Sequence, residues 1–252
     1  MPTLMNVAAR AVRLAAIRRG DAVLDLGTGT GLAAFIAAAQ AGPDAPVVGV
    51  DASADMLAIA AERARLAGLQ QVRWRTGEAH RLDFAHESFD VVACIHLLHD
   101  LARPDEALAE MHRIVAPGGR VSLVVWGRAS ANPWEAVLRR AVAPVLATAP
   151  WPEPGPFSLG SPGVMELLLQ HTGFVDIECE RIRDRLRWES VDDLWQWHLA
   201  WPRSGPMLAV LTPEQQASVR RQLDRLVGPY RGDGELMIPR ELVYARALVP
   251  PD

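Results

Sequence analysis

The stretch Val23-Leu-Asp-Leu-Gly-Thr-Gly-Thr-Gly31 constrains this chain more than any other. A short apolar run ends in glycines at alternate positions and passes straight into the alanine-rich segment 32–41. That is the pattern of a strand, a tight turn and the N-terminus of a helix. Glycine takes positive φ without steric cost and lets the backbone come close to a ligand. The first N–H groups of the following helix have no partner inside it and present a partly positive surface. Such a loop suits a small nucleoside-like ligand.

The rest of the chain repeats the alternation. Strand patterns cover 22–26, 46–50 with Asp51 at the end, 72–75, 89–95 and 120–126, separated by helical patterns over 32–41, 53–66 and 106–115. This spacing predicts a doubly wound parallel sheet. Upstream, Leu4, Val7, Ala8, Ala11, Leu14 and Ala15 form one helical face leading into the first strand. That face outweighs the faint likeness of an acid-free segment with four arginines, residues 1–20, to a transit peptide.

Beyond residue 126 helices are predicted over 134–145, 164–171, 191–201 and 213–226, a Pro/Gly-rich loop over 149–162, one or two strands over 174–188 and a last strand over 242–248. Arg181, Arg183, Arg185 and Arg187 share one strand face at period two, which reads as the guard of a sheet edge rather than an anion site. The economical organisation is a single domain, core 1–188 and 236–252, with a helical cap inserted at about 189–235.

Several function classes are disfavoured. The net charge of −4 weighs against a nucleic-acid or anionic-membrane partner, and no apolar run is long enough to span a bilayer. All 26 basic residues are arginine, so a lysine Schiff base and a P-loop lysine are excluded. Cys94 and Cys179 stand far apart without a Cys/His cluster, so neither a disulfide framework nor a metal site is expected. A cytoplasmic location is the expectation.

Two cofactors compete for the glycine loop. A dinucleotide fingerprint requires G-x-G-x-x-G, yet position 32 is leucine and the glycines stand at 27, 29 and 31. Asp51, ending the second strand, would bind ribose hydroxyls under either reading. The wider set of motifs separates them: Asp25 to Gly31, Val48-Gly-Val-Asp51 with Ser53 and Met56, Gly77-Glu78-Ala79, Phe89-Asp90-Val91-Val92 and Pro117-Gly118-Gly119. In that order they resemble class I S-adenosylmethionine-dependent methyltransferases. Residues 107–119 and Gly173-Phe174 resemble the methyltransferase type 11 group in particular, and the likeness covers roughly residues 5–188.

The resemblance implies a Rossmann-like, mostly parallel seven-stranded sheet whose last strand is antiparallel. It implies S-adenosylmethionine as cofactor and S-adenosylhomocysteine as product, with no metal. The cofactor site would comprise Asp25, Leu26, Gly27, Thr28, Gly29, Thr30 and Gly31, then Asp51, Ala52 and Met56, then Gly77, Glu78 and Ala79, then Ile95 and His96. Asp25 would orient the loop amides or meet the methionine ammonium group, Ala52 and Met56 would pack on adenine, and Glu78 would accept from its amino group.

In open α/β sheets the ligand lies beyond the carboxyl ends of the strands. There Cys94-Ile-His-Leu-Leu-His-Asp100 offers His96 and His99 as general-base candidates, three residues apart. No Asn/Asp-Pro-Pro-aromatic turn stands here, and Cys94–Leu98 supplies none of the acids that a magnesium-dependent enzyme would need at this edge. Trp126 ends the fifth strand, and Trp134, Trp151, Trp195, Trp197 and Trp201 crowd the later chain. Trp197 and Trp201, at spacing four, share a helical face, and with Trp126 they suggest an apolar or aromatic acceptor pocket. The expected partner is thus a small-molecule acceptor. A non-catalytic S-adenosyl-ligand-binding protein and, less favoured, a nicotinamide-dependent oxidoreductase remain as alternatives.

Overall fold

A computed structural model describes residues 2–146, 151, 153, 155–232 and 234–251. Of the loop expected at 149–162, residues 149, 150, 152 and 154 lie outside the described residues. The sheet contains β1 (Val23–Leu26), β2 (Val47–Asp51), β3 (Val72–Thr76), β4 (Phe89–Ile95), β5 (Val115–Trp126), β6 (Val175–Trp188), β7 (Arg231–Gly232) and β8 (Glu235–Leu248). Its order is β3-β2-β1-β4-β5-β8-β6, with β7 attached to β8. The first five strands run parallel. β8 is antiparallel to both β5 and β6. The expected mostly parallel, doubly wound sheet is therefore present, with the two-residue β7 as an eighth strand.

Nine helices flank it among the described residues: α1 (Pro2–Leu14), α2 (Leu32–Ala41), α3 (Ala54–Leu66), α4 (Pro104–Ile114), α5 (Pro133–Val142), α6 (Val164–His171), α7 (Val191–Ala200), α8 (Gly205–Ala209) and α9 (Pro213–Leu226). None is long and apolar enough to cross a membrane. α2 buries Ala33, Ala34, Ala37, Ala38 and Ala41 together with Ala8 and Val12 of α1 and with Val23, Val47 and Val91 of the sheet. Small side chains let this helix lie close on the strands that carry the glycine loop. Leu4, expected on the buried face of α1, is instead 45% exposed, and Val12 takes a buried position.

Three differences from the sequence reading have physical causes. β5 begins five residues earlier than expected, because Val115 pairs with Phe89 ahead of the Pro117-Gly-Gly119 irregularity and Arg120 resumes with Val91. β8 begins at Glu235, well before the apolar run, because it pairs with β6 as far back as Leu236. Pro239 and the charges of Arg240 and Glu241 hide this from a hydrophobicity pattern. Pro239 is tolerated because β5 pairing stops at Leu242, so β8 needs no donor on that side there. The arginine row is not a bare guard: on the edge strand β6, Arg181 and Arg183 both pair with buried Glu241 of β8, at 3.1 and 2.9 Å, and Arg187 pairs with Glu235.

α8, unread in the sequence, turns the chain after α7. A Cβ on Gly205 would lie 2.2 Å from the carbonyl oxygen of Leu199. Gly205→Ala is therefore expected to cost about 1–3 kcal/mol through forced displacement of this corner. Equilibrium urea unfolding checks it, and an unchanged midpoint would show that the corner yields freely.

Candidate functional site

β1 and β2 end side by side, and the loops leaving them interlock. Gly27 and Thr28 donate their N–H groups to the Val50 carbonyl at 2.8 and 3.0 Å. Gly27, Gly29 and Gly31 all take positive φ, 73°, 54° and 87°, the conformation for which glycine is required. Asp25 is buried in β1, where its Oδ2 accepts from Thr28 Oγ1 at 2.7 Å and from the Ala34 N–H at 2.9 Å. It thus clamps the turn to the first turn of α2, the orienting role of the two the sequence allowed. Burial raises its pKa to about 6; the bonds from Thr28 and Ala34 oppose that rise.

Asp51 holds the other side. Its Oδ2 accepts from the Gly29 N–H at 2.8 Å and its Oδ1 from the Ser53 N–H at 2.9 Å. Each carboxylate oxygen has two acceptor positions, so one on each oxygen remains for a vicinal diol. A Cβ on Gly29 would meet nothing within 4 Å, so the space over the loop is open. Ala52 is exposed, and Met56 and Ile59 present apolar side chains 41% and 45% exposed one helical turn apart. The Gly77 N–H donates to the Asp51 carbonyl at 3.1 Å, which draws the exposed Glu78 beside this surface. Leu26 and Ala79 turn into the core, so only their backbones face the loop. Thr30 accepts from Arg63 at 2.7 Å. A diol acid, an apolar platform and an open glycine turn fit the nucleoside part of S-adenosylmethionine.

Next along the sheet, β4 ends in a strained corner. His96 has φ 60°, unusual for a residue with a side chain, while its N–H bonds the Val124 carbonyl at 2.9 Å. Its ring lies 4.7 Å from that of Trp126 and 5.7 Å from that of His99. Both ring nitrogens of His96 and Nδ1 of His99 are buried without a partner. Burial pushes His96 down to about 3, helped by Arg240, and pushes His99 well below the ordinary imidazole range, helped by His96 and Arg203. Both imidazoles are therefore neutral at physiological pH.

The sequence-predicted tryptophans converge on a residue that was not singled out as their hub. Trp134, fully buried on α5, has ring contacts with Trp126, Phe157, Trp197 and Trp201 at 5.0, 5.4, 5.2 and 4.9 Å. Trp197 and Trp201 stack at 5.4 Å, as their shared face predicts. Trp195 is buried in the same apolar cluster without joining these ring pairs. His198 of α7, which stands among these tryptophans in the sequence, also abuts Trp134. The cap is tied to the β4 corner by Arg203, which donates to Asp100 at 2.9 Å, one residue after His99.

Comparison with known proteins agrees with this geometry. Residues 17–137 match the family model described as a methyltransferase domain. An arsenite methyltransferase of Halobacterium salinarum is 32% identical over 139 residues, 55% of this chain and 31% of that protein. A demethylmenaquinone methyltransferase of Thermus thermophilus is 41% identical over 112 residues, 44% of this chain and 50% of that protein. The chain thus spans half or less of the length of these two curated relatives. The crystal structure of the cyclase SpnF superposes with a TM-score of 0.65 at 20% identity, covering 98% of this chain and 82% of that one. At that identity the likeness concerns the fold alone.

Proposed function

We infer from the class I methyltransferase domain that this chain carries over residues 17–137 that it transfers a methyl group from S-adenosylmethionine to a small, largely apolar or aromatic acceptor. The observation that carries the reading is Asp51. It is fixed by two loop amides and keeps two acceptor positions beside an open glycine turn. The alternative dinucleotide reading lacks its third glycine, since Leu32 stands in that place and starts α2.

S-adenosylmethionine, when bound, supplies a methyl group activated by the positive charge on its sulfur. The work left to the chain is binding, alignment and exclusion of water, and proximity can supply up to ~7–11 kcal/mol of a barrier. Asp51 and the 25–31 loop hold the nucleoside end. Met56, Gly77 and Glu78 flank adenine. Ile95 and His96 face the methionine end. His96 and His99 are the general-base candidates; burial makes both weakly basic, so proton acceptance there requires a bound acceptor to supply the hydrogen-bond partner their rings lack. The acceptor lies under the cap of residues 189–235, against Trp126, Trp197 and Trp201. An apolar ring suits those walls, as in the quinone precursor methylated by the Thermus relative. Arsenite, the substrate named for the Halobacterium relative, suits them less: Cys94 lies in β4 and Cys179 in β6, strands that are not neighbours. The reading includes a cytoplasmic location, in keeping with two free cysteines.

Asp51→Ala is expected to weaken S-adenosylhomocysteine binding about a hundredfold, ~2.7 kcal/mol. The carboxylate both accepts from the diol and holds Gly29 in place. Isothermal titration measures it, and unchanged affinity would remove the ribose role. Incubation of the enzyme with S-adenosylmethionine and a panel of aromatic acceptors, read as S-adenosylhomocysteine release, tests the transfer itself.

A further inference from the structure

Arg181, Arg183, Arg185 and Arg187 share one face of β6, and three of them are neutralised there. Arg181 and Arg183 pair with Glu241, and Arg187 pairs with Glu235. Arg185 stands opposite Pro239 of β8, a position that offers it no acid. Among the described residues its guanidinium makes no ion pair and no hydrogen bond.

This exception lines a cavity. The chain leaving α9 returns through Pro229, Tyr230 and β7, which pairs with Glu235 and Leu236 of β8. That segment and the arginine face of the β6–β8 pair line a cavity of about 650 Å³, a size that admits a whole small organic ligand. Arg185, Arg187 and Arg231 face the single carboxylate of Glu235 there, while Tyr230, Met237 and Pro239 add apolar surface. Arg231 is also paired with Asp224. All three arginines are exposed, and exposed pairs of this kind contribute little. A guanidinium carries five N–H donors, so one paired carboxylate leaves others for an incoming oxyanion.

Guarding a sheet edge needs only charge facing solvent. It does not account for Arg231, from another segment, sharing one cavity with Arg185, since like charges repel. The walls are also held in place. Alternation along β6 turns Leu186 and Trp188 to the opposite face, where with Leu236 and Ile238 of β8 they are buried in the apolar cluster of the cap. β4, β5 and β8 separate β6 from β1, and neither Asp51 nor the cap tryptophans line the cavity. Its ligand is therefore neither the methyl donor nor the acceptor.

We propose that this cavity is a second binding site, for a small organic anion. Its carboxylate or phosphate group is held by Arg185 with Arg187 and Arg231, and its flat apolar body rests on Tyr230, Met237 and Pro239. The planar fork of arginine matches both kinds of oxyanion, and charge-assisted hydrogen bonds are the strong ones.

The test is isothermal titration of the full chain, saturated with S-adenosylhomocysteine and in low salt, with phenyl phosphate, benzoate and uncharged benzyl alcohol. At least one of the two anions should bind roughly tenfold or more tightly than benzyl alcohol, and the tighter one identifies the head group. Arg185→Gln should weaken that anion about tenfold, and Arg185→Lys, which keeps the charge and loses the fork, should retain part of the affinity. Arg73→Gln, an exposed arginine on β3 at the other edge of the sheet, should change nothing. Absence of binding by both anions, or unchanged affinity in Arg185→Gln, would overturn the proposal. An equal loss in Arg73→Gln would also overturn it, since the anions would then be reporting net charge rather than a site.

Discussion

Between pH 5.5 and 4 the protein should lose folding stability on acidification, by ~1.4 kcal/mol per unit or more. His96, His99 and His198 are buried and stay neutral in the fold, whereas in the unfolded chain each binds a proton below the ordinary value of 6.5. In that range the unfolded state holds two more protons from His96 and His198, so stability falls as pH falls, by ~1.4 kcal/mol per unit for each, and His99 acts in the same direction. Asp25 opposes them. Its folded pKa of about 6 lies above its unfolded 3.8, so between those values the folded state holds the extra proton. Its contribution is full below 3.8 and is lost as pH rises through 6. Two protons against one leave a net slope of one, to which His99 adds. Urea unfolding at pH 7, 5.5, 4.75 and 4 measures it, and His198→Phe should reduce the slope by ~1.4 kcal/mol per unit. A flat or reversed profile would mean that the imidazoles are protonated in the fold and hence have acquired partners.

Trp134→Ala should cost about 3–5 kcal/mol, the range for removing a large buried aromatic, and lower the melting temperature by ~10 °C for a chain of this size. The side chain is fully buried, holds together rings from β5, the cap and the loop containing Phe157, and donates its Nε1–H to Asn132 Oδ1 at 3.3 Å. Asn132 in turn bonds Glu241, which anchors two arginines of the edge strand. Loss of the indole therefore opens the cap and slackens the outer sheet together. Trp134→Phe should recover most of the stability by refilling the space while forfeiting one hydrogen bond. A loss under 1 kcal/mol in the alanine variant, by differential scanning calorimetry, would show that the cap docks without this residue. S-adenosylhomocysteine affinity should change much less than stability, since Asp51 and the glycine loop are held by β1, β2 and α2.

Much of the donor half was legible because its chemistry is local. Positive φ at Gly27, Gly29 and Gly31 is a demand that glycine alone meets cheaply, and it shows in the spacing. Asp51 stands at the end of an apolar run, so its position against the loop follows once β1 and β2 are parallel neighbours. The acceptor half resisted reading because its parts are brought together from distant segments. Trp134 and His198 have no periodic relation, and only the folding of the α7–α9 insertion back onto α5 places one ring against the other. The extent of β8 was hidden for a related reason, since Arg240 and Glu241 belong in a strand interior only when Asp184, Arg181 and Arg183 of β6 neutralise them.

The sequence by itself determined the parallel sheet, the glycine turn, the acid at the end of β2 and the presence of histidines at the end of β4. Backbone sterics, strand periodicity and spacing act over a few residues and leave their mark on the order of amino acids. Only the tertiary structure decided that Asp25 clamps the turn, that Trp134 is the hub of the cap, and that three imidazoles are sealed from water without partners. Burial and pairing depend on what every other segment brings to the same place, and a linear pattern does not contain them.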